Sequence, residues 1–74
     1  MISETQQDAL NLLTELCERS PDIRLGQLVA HLGFLGEDQT GKTLWDIDDE
    51  HLLDVMEQHR QELNLRDRVL QEVA

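Results

Sequence analysis

Apolar residues recur along this chain at helical spacing in three separate stretches. In the first, Ala9, Leu10, Leu13, Leu16 and Cys17 follow Ser3 and Gln6, whose three-residue separation is the signature of a capping box. A first helix is expected over 4–19, closed by Ser20-Pro21, since proline disfavours helical geometry at the residue before it. The second stretch, Leu25, Leu28, Val29, Leu32 and Leu35, traces one face of a helix over 23–35, with Arg24, Gln27 and His31 on or near its edge. Gly26 and Gly33 weaken that helix by up to about 1 kcal/mol each relative to alanine if interior, and Gly33 or Gly36 is the expected stop.

The next residues, GEDQTGKT from Gly36 to Thr43, are polar and carry two glycines, which predicts a surface loop. Leu44, Trp45 and Ile47 are expected to pin the following segment to the core. Asp48 then opens a third helix over 48–63. Ile47 and Leu52 stand in the two positions of a hydrophobic staple, and Asp49 and Glu50 sit where the helix dipole favours negative charge. Leu52, Val55, Met56 and Leu63 give its buried face. Beyond it two continuations are open: Asn64 caps a short tail helix over 65–73, or the third helix runs on, since Leu63, Leu70 and Val73 stay near one stripe.

With 74 residues, this describes one all-α domain: three helices with a C-terminal helical extension. Leucine dominates the apolar set and Phe34 and Trp45 are the only aromatics, a composition that suits helices better than sheets. Whether Trp45 is a core or a contact residue is left open by the pattern. Sixteen acidic residues against six basic give a formal charge of −10, which repels a phosphate backbone and favours a basic protein surface over an anionic membrane. The start, MISETQQDAL, has no basic region followed by an apolar run, and no apolar stretch approaches the ~18 residues of a membrane span, so a cytoplasmic location is expected. Cys17 has no partner for an internal disulfide and is read as a small buried hydrophobe. Arg60, Arg66 and Arg68 concentrate positive charge in the tail, an asymmetry that permits a self-complementary dimer contact, although solvated helix charges explain it as well.

Four motifs suggest a chemistry. Gly36, Gly41, Lys42 and Thr43 spell a P-loop, but the segment before them has helical rather than strand periodicity, Glu37 and Asp38 would repel phosphate, and no acid-terminated strand follows. Asp46, Asp48, Glu50, Asp54 and Glu57 fall at calcium-loop positions, yet His51 stands where that loop needs glycine. His51, Asp54 and His59 invite a transition metal without forming a His-x-x-x-His or Glu-x-x-His pair. IRLGQLVAHLGFL resembles the first half of a helix-turn-helix, with Gly33 in the turn, but the basic second half is missing. The seryl and threonyl groups lie at caps and loop, so no catalytic triad is expected, nor any cofactor, metal or direct nucleic-acid contact.

Pro21 to Leu32, with Arg24, Gly26, Gln27 and Leu28 as its clearest letters, and Asp46 to Leu53 together resemble a group of small uncharacterised bacterial proteins. These carry an R-x-G-Q-L motif followed by D-I-x-D-E-x-L. The resemblance covers about half the chain and implies a small helical domain with a connector of variable length between the motifs. It assigns no catalytic or ligand residues.

From the residues themselves, Arg24 is expected in the first turn of the second helix, where the dipole disfavours a cation. An acid among Asp46, Asp48, Asp49 and Glu50 is its expected partner, with Gln27 hydrogen-bonding a loop backbone group. The functional expectation is an interaction module that binds another protein, or itself as a homodimer, through an apolar patch with an acidic rim; an enzyme is not expected. The alternative is an acidic antitoxin-like or nucleic-acid-mimicking inhibitor of a basic partner.

Overall fold

The computed structural model describes the backbone of residues 1–73 and the side chains of residues 1–71. Three helices account for nearly all of it: α1, Glu4–Arg19; α2, Leu25–Thr40; and α3, Asp49–Val73. The all-α expectation holds, and there is no strand among the described residues.

α1 begins as its capping box requires. The Ser3 hydroxyl accepts from the Gln6 N–H at 3.1 Å, and the Gln6 side-chain oxygen accepts from the Ser3 N–H at 3.0 Å. The centre of its buried stripe is Leu12 and Leu16, with Ala9, Leu13 and Cys17 half-buried on either side and Leu10 turned to solvent. Cys17 therefore packs as a small apolar side chain at the edge of the core.

α2 departs from expectation at both ends. It starts at Leu25, two residues late, so Arg24 precedes the helix in extended conformation, with φ −72° and ψ 149°. It then runs through Gly33 and Gly36 to Thr40, so the first five residues of GEDQTGKT are helical rather than loop. The two glycines stay inside the helix because the connector folds back onto them. A Cβ on Gly33 would stand 3.1 Å from Leu44 Cδ1 and Cγ, and one on Gly36 would stand 3.1 Å from Ile47 Cδ1. Burying two aliphatic side chains against a groove of bare backbone offsets the helix penalty of glycine. The stop is Gly41, at φ +74°, a left-handed conformation that glycine adopts without strain; its N–H donates to the Glu37 carbonyl at 2.8 Å. The Thr40 hydroxyl secures the same turn, donating to the Gly36 carbonyl at 2.7 Å and accepting from the Lys42 N–H at 3.1 Å.

α3 takes the second of its two open continuations and runs unbroken past Asn64 to Val73. The position of the Val73 side chain on the stripe lies outside the described residues. Leu52, Val55, Met56 and Leu63 meet the core as their spacing predicts, and Ile47 packs there too.

α1 and α2 both lean on α3 and meet each other little. Gly36 lies beside Val55 and His31 beside His59, so α2 is antiparallel to α3; Glu15 meets Arg60 and Arg19 meets Asp67, so α1 is parallel to it. The core is Leu12, Leu16, Leu28, Leu32, Val55, Met56 and Leu63, without a buried polar or charged residue among those described. The end of α1 and the start of α2 stand beside Asp67 and Arg66, so α3 continues past both by about 9 Å at the ~1.5 Å rise per residue of an α-helix. Val69 and Leu70 on that overhang are exposed, as is Leu65 just before it, in a molecule 43 × 27 × 20 Å across. No helix among the described residues is long and apolar enough to cross a membrane.

Candidate functional site: an aromatic patch and a histidine groove

Both aromatic side chains of the chain point outward. Phe34 is 70% exposed and Trp45 is 93% exposed, while the core is wholly aliphatic but for Met56. Phe34 stands half a helical turn away from the buried Leu28–Leu32 stripe, because α2 is covered on one narrow side by α3 and has no second neighbour of comparable extent. For the same reason Leu25 and Val29, expected on the buried face, are exposed. Phe34 and Leu44 line a shallow depression together with Ala30, Gly33, Glu37 and Thr43. Trp45 follows Leu44 directly; of the three connector residues expected to reach the core, only Ile47 does, while Leu44 lies over Gly33 and stays 39% exposed. Glu37 lines the depression and exposed Asp38 follows it in the chain, as exposed Asp46 follows Trp45.

A second feature lies at the other end of α2. Ser20, Ile23, Gln27, Leu28, His31, His59, Leu63 and Arg66 line a groove of about 460 Å³ where the α1–α2 connection meets α3. Its wall holds an imidazole pair, His31 and His59, with ring centroids 5.0 Å apart and planes at 66°. The His59 side chain is only 11% exposed. Its Nδ1 is sealed from solvent without a hydrogen-bond partner, the Glu62 carboxylate standing 3.7 Å away. Burial, with the neighbouring His31 adding to it, holds the His59 pKa below its ordinary value of 6.5, against an opposing pull from Glu62.

The sequence alone could not pair these histidines, since they sit on different helices and neither belongs to a short motif. The His51, Asp54 and His59 set that invites a metal reading in the sequence does not assemble. Eight residues along one helix separate the two imidazoles by about 12 Å, and His51 instead contacts the Asp48 carboxylate at 3.2 Å. Among the described residues no three His, Cys, Asp or Glu side chains converge as metal ligands would. The calcium-loop spacing fails for a related reason: from Asp49 onward those acids ride a straight helix and cannot wrap an ion.

The expected clasp between Arg24 and the acids after the connector is absent: among the described residues no ion pair joins Arg24 to Asp46, Asp48, Asp49 or Glu50. The antiparallel α2–α3 hairpin is the physical cause, since it puts the start of α2 beside Leu63 and Arg66, some four turns of α3 from Asp49. Gln27 does serve a backbone group, its side-chain oxygen accepting from the Arg24 N–H at 3.0 Å. A guanidinium has no acceptor, so Arg24 cannot complete the box, and α2 starts with half a cap. Asp48 gives its carbonyl to the first hydrogen bond of α3, from the Leu52 N–H at 2.9 Å, and Asp49 and Glu50 occupy the first turn. These three acids stand at the helix start, and Asp46 lies in the turn before it, its N–H donating to the Thr43 carbonyl at 3.0 Å.

The P-loop letters acquire the wrong polarity. In a phosphate loop the glycines lead into a helix N-terminus whose amides face the anion; here Gly41, Lys42 and Thr43 follow a helix C-terminus, where carbonyls and the negative end of the dipole converge. The helix-turn-helix likeness fails at Gly33, which is mid-helix and not in a turn. Comparison with family models, with curated proteins and with solved structures finds no match.

Proposed function

We propose that this chain is a protein-interaction module that docks a basic-flanked apolar segment of another protein on the Phe34–Leu44–Trp45 patch. The observation that carries the reading is the placement of every aromatic side chain on the surface while leucines fill the core. Leaving a tryptophan and a phenylalanine in water forgoes about 2 kcal/mol or more of burial per side chain, and such residues dominate binding energy where interfaces form. The formal charge of −10, with Glu37 lining the depression, supports a partner whose docking segment carries Lys or Arg. The resemblance to small helical bacterial proteins is compatible with such a role and names no partner.

The test compares capture from a native extract by the wild-type chain and by a Phe34→Ser/Trp45→Ser variant, both quantified by mass spectrometry. A partner retained by the wild type and lost by the variant is expected, because these exposed positions carry no core packing. Equal retention by both would overturn the reading. Salt separates the acidic-inhibitor alternative: a purely electrostatic neutraliser of a basic protein loses affinity steeply with ionic strength and survives the double substitution.

A further inference from the structure

The groove at the start of α2 differs in chemistry from the rest of the molecule. In a chain with sixteen acidic residues, no carboxylate lines it, and its polar groups are Ser20, Gln27, His31, His59 and Arg66. Gln27 presents a donor there: its oxygen is occupied by the Arg24 N–H, so its NH₂ is the half left free. Arg66 is exposed and its one ionic neighbour among the described residues is the adjacent Asp67, at 3.8 Å from Nε. The His59 ring closes the wall beside His31, its Nδ1 sealed from solvent on the Glu62 side. The apolar part of the wall is Ile23, Leu28 and Leu63, and the volume, about 460 Å³, lies within the range of small-molecule sites.

Donors and cations around a short aliphatic surface are complementary to one kind of molecule. We propose that this groove binds a small organic acid, its carboxylate taken by Arg66, the Gln27 amide and the exposed imidazole of His31, its branched or short hydrocarbon body lying on Ile23, Leu28 and Leu63. Guanidinium and carboxylate match in charge and planar geometry. The site is independent of the aromatic patch, which occupies the opposite end of α2.

The test is an NMR titration of the full chain with three probes: 4-methylpentanoate, its uncharged isostere 4-methylpentanol, and acetate, which has the charge without the body. The branched acid is expected to shift the resonances of His31, His59, Leu63 and Arg66 saturably, with alcohol and acetate each at least about tenfold weaker, the factor that one lost interaction of ordinary size removes. Arg66→Gln should weaken the acid by about tenfold while leaving the helical spectrum unchanged. Arg66→Lys should restore part of the loss.

By linkage the bound acid should raise the titration midpoint of His59, and the alcohol should leave it in place. The charged or titratable groups around that imidazole are His31 from α2 and Glu62 and Arg66 on α3; Ser20 and Ile23 from the α1–α2 connection are neutral. No saturable shift, an alcohol as tight as the acid, or an Arg66→Gln variant that binds unchanged would each overturn the proposal.

Discussion

Gly41 and Gly26 are both exposed glycines with open space where a Cβ would go, yet alanine at the two sites should act in opposite directions. At Gly41 nothing lies within 4 Å of the added carbon, so crowding contributes nothing and the backbone alone decides. The site sits at φ +74°, ψ 7°, where an L-residue carries a penalty of about 1–2 kcal/mol. Alanine also restricts the unfolded chain, which returns about 0.4–1 kcal/mol. The net expectation for Gly41→Ala is a loss of about 1 kcal/mol, with Gly41→Asn milder because asparagine tolerates the left-handed region.

Gly26 lies in the first turn of α2 without a positive φ, so Gly26→Ala should gain up to about 1 kcal/mol from helix propensity. In a domain of this size 1 kcal/mol moves Tm by about 4–8 °C, so the two variants should straddle the wild type by an easily resolved interval. Far-UV ellipticity during thermal and urea unfolding is the assay; Trp45 emission is a poor reporter because that side chain is already solvated. If Gly41→Ala proves neutral or stabilising, α2 does not end in a left-handed turn there, and the polarity argument against a phosphate loop falls with it.

Other expectations follow from single side chains. Leu16→Ala, at the most buried position of α1, should cost about 2–5 kcal/mol in urea denaturation, whereas Leu10→Ala on the same helix should cost well under 1. The depressed pKa of His59 means the folded state favours the neutral imidazole, so the stability linked to it is intact above pH 6.5 and is lost as pH falls below that value toward the folded pKa. A decline in Tm as pH falls below 6.5, flattened in His59→Asn, is the expected result; an identical decline in the variant would refute the assignment. Arg19 donates to both Asn64 and Asp67, tying the end of α1 to α3 across a half-exposed surface. Arg19→Ala should therefore lose no more than about 1 kcal/mol, a difference that shrinks in high salt.

Much of this architecture was legible in the order of residues. The Ser3–Gln6 box, the acid-rich start of α3 and its Leu52, Val55, Met56 and Leu63 stripe are local signals and appear where their spacing puts them. The stripes of α1 and α2 are rotated from expectation: Leu12 is core, and Leu10, Leu25 and Val29 face solvent. The length of α2 was not legible, because a glycine reads as a stop until something packs against it. Gly33 and Gly36 remain helical only because Leu44 and Ile47 return to cover them, and that contact belongs to the fold of the connector.

The candidate sites divide along the same line. The letters of a phosphate loop and a calcium loop, both disfavoured by their sequence context, and the expected Arg24 clasp all depend on where helix ends point in space. The run of α2 to Gly41 put the phosphate letters at a helix C-terminus, the onset of α3 straightened the calcium spacing, and the antiparallel pairing of α2 with α3 separated Arg24 from its acids. The features that carry the functional readings are tertiary. Phe34 became a surface residue because α2 is covered on one side only, and His31 met His59 because two helices cross near those positions. The sequence by itself determined that the chain forms three helices and marked most of the buried face of α3, since propensity and periodicity act between near neighbours. Which apolar side chains are left in water, and which distant polar ones share a groove, was decided only when three helices of unequal length were packed together.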